Sequence, residues 1–246
     1  MNIAVIFAGG TGSRMKSRGL PKQFLEVHGK AIIIYTLEHF EKHPDIDAIM
    51  VVCIKEYIEY LKKLVQKAEL SKVKWIEPGG CSPLESQFIG LTKLAQECSG
   101  NVPHIVLLHD GVRPLINEDC ITQCIESVKQ YGTAITMSPA IETIITVDEK
   151  NNVKQTLPRK ECRLGRAPQC FYLDQILALH HQAMKDGLRD NQELFIDSAT
   201  MMQYYGYPVH VVEGPSANIK ITTPTDYYVF KALIDAKENS QIFGLE

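Results

Sequence analysis

The sequence predicts a single α/β domain with a mostly parallel sheet, helices on both faces and a protruding β-hairpin arm. Two observations predict this fold class. Short runs rich in Val and Ile alternate with longer segments in which apolar residues recur every three or four positions. The length of 246 residues also suits one α/β core better than two. Alternating strands and helices are typical of a parallel sheet that is covered on both faces.

The first half of the chain carries the clearest alternation. Five apolar runs are predicted to be buried strands: 3–7, 48–53, 73–76, 105–108 and 133–137. Four segments with helical periodicity lie between or beside them: 31–42, 56–69, 84–97 and 117–130. Asn117, followed by two acidic residues, is a typical helix start.

The alternation breaks after residue 140. Residues 141–158 have the pattern of a hairpin, with Asn151 and Asn152 as turn residues. We expect an arm over about 141–166, inserted in a domain of residues 1–246 and packed on a second subunit. Helices at 173–185 and 197–205, a strand at 208–212 and a closing helix from about 224 complete the chain.

Charge and composition exclude several classes of partner. The 26 Lys and Arg residues against 29 Asp and Glu residues give a net charge of −3, which argues against binding to nucleic acid or to an anionic membrane. The sequence lacks a signal-peptide pattern and an apolar run long enough for a membrane helix. Its seven cysteines form no CxxC pair, and Cys120 and Cys124 are interpreted as core residues rather than metal ligands. These features favour the cytoplasm.

A glycine-rich loop follows the first strand. It contains Ala8, Gly9, Gly10, Thr11 and Gly12. Backbone N–H groups converge at such a turn and bind phosphates. The loop matches neither the dinucleotide fingerprint, because Met15 occupies the third glycine position, nor the P-loop pattern. Arg14 and Lys22 add two cations, which suits a triphosphate that must lose a leaving group. The alternative is a simple turn with solvated charges.

A lone acidic residue, Asp110, ends the apolar strand 105–108. The carboxyl ends of parallel strands share one edge of the sheet, so we expect Asp110 beside the first loop. One carboxylate suits Mg²⁺, which otherwise takes phosphate and water oxygens. The alternative is a helix cap or a turn residue. His109 is interpreted as structural, and Arg113 as a structural ion pair more than a substrate contact.

Several motifs occur in a familiar order. They are the 9–15 loop with Pro21-Lys22-Gln23, Gly79-Gly80 with Ser86, His109 to Pro114, Pro139 to Thr143, Arg159, Ala167-Pro168-Gln169, Asp197 and Asn218 to Thr222. Together they resemble the nucleotidyltransferases that make nucleotide-diphospho sugars and alcohols. More narrowly, they resemble cytidylyltransferases related to 2-C-methyl-D-erythritol 4-phosphate cytidylyltransferase, a group that includes ribitol-5-phosphate cytidylyltransferases. The match spans about 220 residues.

The resemblance implies a Rossmann-like nucleotidyltransferase sheet and a set of roles. Catalysis falls to Arg14, Lys22 and Lys220, around the α-phosphate of CTP. The nucleotide contacts are Ala8, Gly9, Gly10, Thr11, Gly12, Gly79, Gly80, Ser86 and Asp110, with Asp110 also holding Mg²⁺. A polyol phosphate is bound by Thr143, Arg159 and Asp197, and Arg159 comes from the partner in a homodimer. Each of three residues has an alternative role. Lys220 would lie on an edge strand facing water, Arg159 would pair with Glu161, and Asp197 would cap a helix.

Two departures from the family pattern affect the choice of acceptor. Pro83 replaces an arginine between the glycines and Ser86, and Ile196 replaces a threonine near the acceptor phosphate. We therefore expect ribitol 5-phosphate, or a similar pentitol phosphate, before methylerythritol 4-phosphate, in wall or capsule precursor synthesis. Two other hypotheses remain at this point: an NAD(P)-linked polyol reductase and a non-catalytic nucleotide-sensing module.

Overall fold

The sheet has seven strands and is parallel except at one strand. The computed structural model describes residues 1–10, 19–98, 102–189 and 191–243, the last four without their side chains. The sheet strands in chain order are β1 Asn2–Ala8, β4 Ala48–Cys53, β5 Val73–Pro78, β6 Ile105–Asp110, β7 Thr133–Pro139, β10 Arg163–Tyr172 and β11 Val211–Glu213. Their spatial order is β11-β7-β10-β6-β1-β4-β5, with β10 antiparallel to both of its neighbours.

Helices cover both faces of this sheet. They are α1 Ile32–Lys42, α2 Ile58–Lys67, α3 Pro83–Glu97, α4 Glu118–Tyr131, α5 Leu173–Lys185, α6 Ser198–Tyr204 and α7 Pro224–Phe243. Alternate residues of the central strands face opposite sides. Ile6 packs with α1 and α4 residues such as Leu37 and Ile121, whereas Val5 packs with α3 and α5 residues such as Leu91 and Ile176. The fold class is therefore confirmed.

Local signals explain several helix boundaries. The Asn117 side chain accepts from Cys120 N at 3.1 Å and caps α4, as predicted. Gly132 ends the same helix in the left-handed conformation, with φ of 82°. Cys120 and Cys124 lie on the buried side of α4, next to Thr136, and all seven cysteines are free. Both behave as core residues.

The predicted hairpin is present and exposed. Strands β8 Ile145–Val147 and β9 Val153–Thr156 pair antiparallel. Asp148 Oδ1 accepts from Lys150 N and Asn152 N at 2.9 and 2.8 Å, which fixes the turn. Every residue of both strands is exposed. Residues 163–166, at the end of the expected arm, begin β10, and residues 163–165 pair with β7.

Three details differ from the sequence-based prediction. Strand β10 was not predicted, because Pro168 and a basic first half disguise it, and its pairing with β7 shifts register between Gly165 and Gln169. A small hairpin, β2 Glu26–Val27 with β3 Lys30–Ala31, was also missed. The sequence also predicted a short strand around Lys220, but residues 218–222 form none, although Ile221 N donates to Val112 O at 2.9 Å.

Among the described helices, none combines the length and the apolar character required to cross a bilayer.

Candidate active site

A cleft of about 780 Å³ opens at the carboxyl ends of the parallel strands. This is the edge at which open α/β sheets bind ligands, and the volume suits a small molecule. Nine of the residues predicted from sequence line it: Ala8, Gly9, Gly10, Lys22, Gly79, Gly80, Ser86, Asp110 and Lys220. Thr11, Gly12 and Arg14 lie outside the described residues.

Two neighbours fix the backbone around Lys22. Gln23 Nε2 donates to Ala8 O at 2.7 Å, which ties the 3₁₀ turn Lys22–Phe24 to the end of β1. Phe24 is fully buried and stacks on Tyr57, with ring centroids 5.1 Å apart. Lys22 itself is only 9% exposed. A lysine held in the cleft wall in this way presents its charge with little rotamer freedom left to lose on binding.

The loop after β5 is braced by the first turn of α3. Gly80 N donates to Ser86 Oγ at 3.1 Å, and Ser86 Oγ donates to Ser82 O at 3.0 Å. Ser82 caps the helix by accepting from Glu85 N. A Cβ on Gly80 would overlap the Glu85 side chain, so a glycine is required there. Ser86 thus fixes the loop that forms this part of the cleft wall.

A long-range ion pair holds the same loop where Pro83 replaces the family arginine. Glu85 Oε2 accepts from Cys81 N at 2.6 Å, while Glu85 Oε1 accepts from Arg189 Nη2 at 3.0 Å. The Arg189 guanidinium also lies over the Phe88 ring, 5.3 Å from its centroid. Sequence reasoning missed Arg189, because it is 104 residues from Glu85 and lies in no recognisable motif.

Asp110 is held between two cations. Lys220 Nζ lies 2.7 Å from one carboxylate oxygen, and Arg113 Nε lies 2.8 Å from the other. Burial by itself raises the pKa of this carboxyl, but Lys220 and then Arg113 outweigh burial and hold the pKa well below its usual range. Asp110 is therefore ionised at every physiological pH. Arg113, 12% exposed at its side chain, forms the structural ion pair that the sequence favoured.

Backbone contacts set the position of Asp110. Gly111 N donates to Phe7 O at 2.9 Å, joining the ends of β6 and β1. His109 points to the other face of the sheet, is 1% exposed and contacts Arg113 O through Nε2 at 3.1 Å. Burial lowers the pKa of His109 to about 4, so the ring is neutral. This agrees with its interpretation as a structural residue.

A second arginine joins this cluster through a shared backbone carbonyl. Asn218 O accepts from Arg113 Nη1 and from Arg166 Nη1, each at 3.0 Å. Arg166 Nε also donates to Ser138 Oγ at 2.8 Å. The Asn218 side chain is fully buried and donates to Ala167 O at 3.0 Å, which fixes the carbonyl between the two guanidinium groups. Asn218 was not predicted as a site residue, and the sequence left the extra cations of residues 162–166, Arg166 among them, open between a polyol phosphate and the surface.

The three residues predicted to bind the acceptor lie apart from the described lining of this cleft. Thr143 is exposed at the root of the arm, and Arg159 is exposed and donates to Ile141 O at 3.2 Å. Asp197 caps α6 in a capping box with Thr200 and accepts from Gln169 Nε2 at 2.7 Å. Asp197 therefore has the helix-capping role that the sequence left as its alternative.

The cleft offers the carboxylate of Asp110 to a metal ion. Among the described residues, no three His, Cys, Asp or Glu side chains lie together as a metal cage. Mg²⁺ rarely needs such a cage, because it binds one or two carboxylates together with substrate phosphates and waters. Asp110 lines the cleft, and a carboxylate keeps lone pairs after accepting two hydrogen bonds. The residues present therefore fit Mg²⁺ bound jointly with a phosphate ligand.

A glycine-lined cleft, two lysines and one carboxylate at the ends of a mostly parallel sheet define a nucleotidyltransferase. The chain belongs to the family described as IspD, 2-C-methyl-D-erythritol 4-phosphate cytidylyltransferase, which matches residues 2–236. It is a cytidylyltransferase enzyme. Membership of this family favours that activity over the reductase and the non-catalytic sensor that the sequence alone left open.

Curated relatives match the whole chain. It is 50% identical over 244 residues, which is 99% of this chain and 100% of the relative, to a ribitol-5-phosphate cytidylyltransferase of Vibrio parahaemolyticus. It is 46% identical over 245 residues, all of both chains, to one of Streptococcus agalactiae. A 2-C-methyl-D-erythritol 4-phosphate cytidylyltransferase of Clostridium botulinum is 33% identical over 95% of this chain and 97% of its own length.

A solved structure has the same fold. The 4-diphosphocytidyl-2C-methyl-D-erythritol synthase of Anaerococcus prevotii superposes with a TM-score of 0.79 at 25% sequence identity, covering 95% of this chain and 96% of that chain. The expected family and fold class are therefore confirmed.

Proposed function

We propose that this enzyme transfers CMP from CTP to ribitol 5-phosphate, giving CDP-ribitol and pyrophosphate, with Mg²⁺ as cofactor. One observation carries the proposal: Asp110 and Lys220 form an ion pair in the wall of the strand-end cleft, with Asp110 next to the end of β1 from which the glycine loop starts. The choice of acceptor follows the relatives that are 46% and 50% identical over their full length.

The reaction needs placement and charge more than acid–base groups. An oxygen of the acceptor phosphate forms a bond to the α-phosphorus of CTP. The bond from that phosphorus to the bridging oxygen breaks, and pyrophosphate leaves with the electron pair. Lys22 and Lys220 line the cleft where this charge develops. Fixed cations in a partly desolvated site stabilise such a transition state. No proton transfer is required, because the nucleophile is already an anion.

The cofactor is assigned to the same edge of the sheet. Asp110 would hold Mg²⁺, which when bound neutralises phosphate charge on the nucleotide. Asp110 suits this role because its carboxylate stays ionised at all physiological pH values. Arg113 keeps the carboxylate oriented through its 2.8 Å contact.

The acceptor site is assigned to two subunits. Thr143 and Arg159 lie at the root of an exposed hairpin and do not reach the described cleft of their own chain. The hairpin also leaves Ile141, Ile145, Val147 and Val153 between 47% and 77% exposed. We therefore infer a homodimer in which the arm brings Arg159 to the partner's acceptor. The substrates of the proposed enzyme are small phosphorylated metabolites.

The seven cysteines of the chain are free, which suits a reducing cytoplasm.

The direct test is pyrophosphate release by the purified enzyme with CTP and Mg²⁺. Ribitol 5-phosphate should support turnover well above methylerythritol 4-phosphate. The variant Lys220→Gln should lose about 100-fold or more in kcat. The matched variant Lys129→Gln removes an exposed lysine paired only with Glu126 and should keep full activity. Turnover of methylerythritol 4-phosphate alone would overturn the choice of acceptor.

Methylerythritol 4-phosphate remains the second candidate. The family description and the Clostridium botulinum relative, at 33% identity, favour it. Ile196 opposes it, since this side chain is 77% exposed and offers no hydroxyl where the family commonly has a threonine.

A further inference from the structure

Three cations cluster at the end of β6, and only two of them contact its single carboxylate. Arg113 and Lys220 pair with Asp110, and Arg166 shares the Asn218 carbonyl with Arg113. Arg166 makes no ion pair with any described residue. The four side chains therefore leave an excess of two positive charges in a partly buried region. Such an excess is unfavourable unless an anion binds there.

The hydrogen bonds of Arg166 orient its guanidinium but do not use all of its N–H donors. Its Nε and Nη1 donate to Ser138 Oγ and Asn218 O, at 2.8 and 3.0 Å. A guanidinium has five N–H donors, so three are left. Nη2 makes no hydrogen bond with the described residues and is not buried, so its two donors can reach solvent or a ligand. Burial, and then the charge of Arg113, lower the pKa of Arg166, as expected for a crowded cation.

The position of Arg166 separates it from the nucleotide. Asp110 and Lys220 line the cleft, whereas neither Arg113 nor Arg166 is among its described lining residues. An anion at Arg166 would therefore lie beside the nucleotide site. The attacking phosphate must lie beside the α-phosphate, on the side opposite to pyrophosphate. A planar guanidinium matches the oxygens of such a phosphate.

We propose that Arg166 binds the phosphate group of the acceptor, next to Arg113, and so determines which phosphorylated alcohol is accepted. This inference rests on the proposed function. It adds to the acceptor site a cation that the resemblance did not assign. Ile196 removes a hydroxyl from the acceptor side, and Arg166 supplies a charged fork on a different element, β10. Arg166 thereby replaces the phosphate contact that is absent at Ile196.

The test compares Michaelis constants for the two substrates. Arg166→Gln should raise KM for ribitol 5-phosphate by about 10-fold or more, because it removes charge-assisted hydrogen bonds. KM for CTP should stay within about twofold. Arg166→Lys keeps the positive charge but not the planar guanidinium. Its KM for ribitol 5-phosphate should therefore lie between those of the wild type and Arg166→Gln. Inorganic phosphate should inhibit the wild type competitively against the acceptor, and Arg166→Gln should weaken that inhibition.

Arg163→Gln is the matched control on the same strand. Arg163 is exposed and, among the described residues, donates only to the backbone oxygens of Lys160 and Cys162, so this variant should leave both constants unchanged. Thermal unfolding of each variant measures any structural effect. The inference is overturned if Arg166→Gln changes both Michaelis constants equally, or changes only stability.

Failure of the inference and failure of the proposed function give different results. If the wild type does not use ribitol 5-phosphate, the proposed function fails whatever Arg166 does. The Arg166 variants are then measured with the alcohol phosphate that the wild type does use. An unchanged KM for that acceptor refutes the inference alone.

Discussion

At the scale of single residues, Asp110 shows how neighbours decide the chemistry of a carboxyl group. Its side chain is 25% exposed, and two cations hold it ionised. The sequence predicted Asp110 because it ends an apolar run, and Lys220 because its motif resembles that of the family. It could not predict that they contact each other, since 110 positions separate them along the chain.

His109 makes folding stability dependent on pH. Its pKa is about 4 in the folded chain against an ordinary value of 6.5, because protonation would charge a buried ring whose Nδ1 has no partner. Between these two values the unfolded chain binds the proton and the folded chain does not. Stability is therefore complete above about pH 6.5 and falls as the pH drops toward 4, by about 3 kcal/mol from this group.

Denaturant unfolding at pH 7 and pH 4.5 measures this effect. The variant His109→Gln should be less stable at pH 7 but should lose less free energy of unfolding between the two pH values. His181→Gln, at an exposed position, should keep the wild-type pH dependence. An equal loss in His109→Gln and wild type would show that other groups control acid unfolding.

At the scale of elements, the start of α3 depends on a distant segment. Glu85 joins Cys81 N to Arg189, and this bridge fixes the loop that follows β5. Arg189→Ala should therefore raise KM for CTP by about 5- to 20-fold, because the loop pays the cost of ordering when nucleotide binds. The KM for the acceptor should change much less.

A paired substitution distinguishes positioning from general destabilisation. Arg189→Lys, which restores the charge opposite Glu85, should recover part of the affinity for CTP. Lys93→Ala removes the pair with Glu97 near the other end of the same helix and should have no kinetic effect. If Arg189→Ala lowers kcat and leaves KM unchanged, the bridge does not position the nucleotide loop.

The differences from the sequence-based prediction have local causes. Strand β10 contains Pro168 and a register shift, so neither alternation nor length identifies it. Residues 218–222 have the composition of a strand but are held by side chains and one ladder-like bond to Val112. In contrast, β1, β4 and β6 are buried on both faces, and their apolar runs were sufficient to identify them.

At the scale of the whole molecule, the exposed hairpin requires a covering surface. An isolated two-stranded hairpin is marginally stable in water, and this one carries three exposed β-branched apolar residues on its strands, Ile145, Val147 and Val153. Ile145→Asp should therefore convert the proposed dimer to a monomer. It should also reduce turnover, because Arg159 would no longer reach the partner.

Sedimentation velocity and the pyrophosphate assay measure both effects. Thr146→Asp places the same charge one residue away on the same exposed strand and should leave the dimer intact. A wild-type enzyme that sediments as an active monomer would contradict the assignment of the acceptor site to two subunits.

Strand β10 has a consequence for how such enzymes diversify. Arg159, Arg166 and Gln169 lie in one short stretch of chain, whereas the nucleotide cleft is built from the ends of β1, β5 and β6. In the proposed reaction, Arg159 and Arg166 bind the acceptor from this stretch, while the nucleotide cleft is formed by other segments of the chain. We therefore expect substitutions within 159–166 to alter the choice of alcohol phosphate while the nucleotide cleft stays the same.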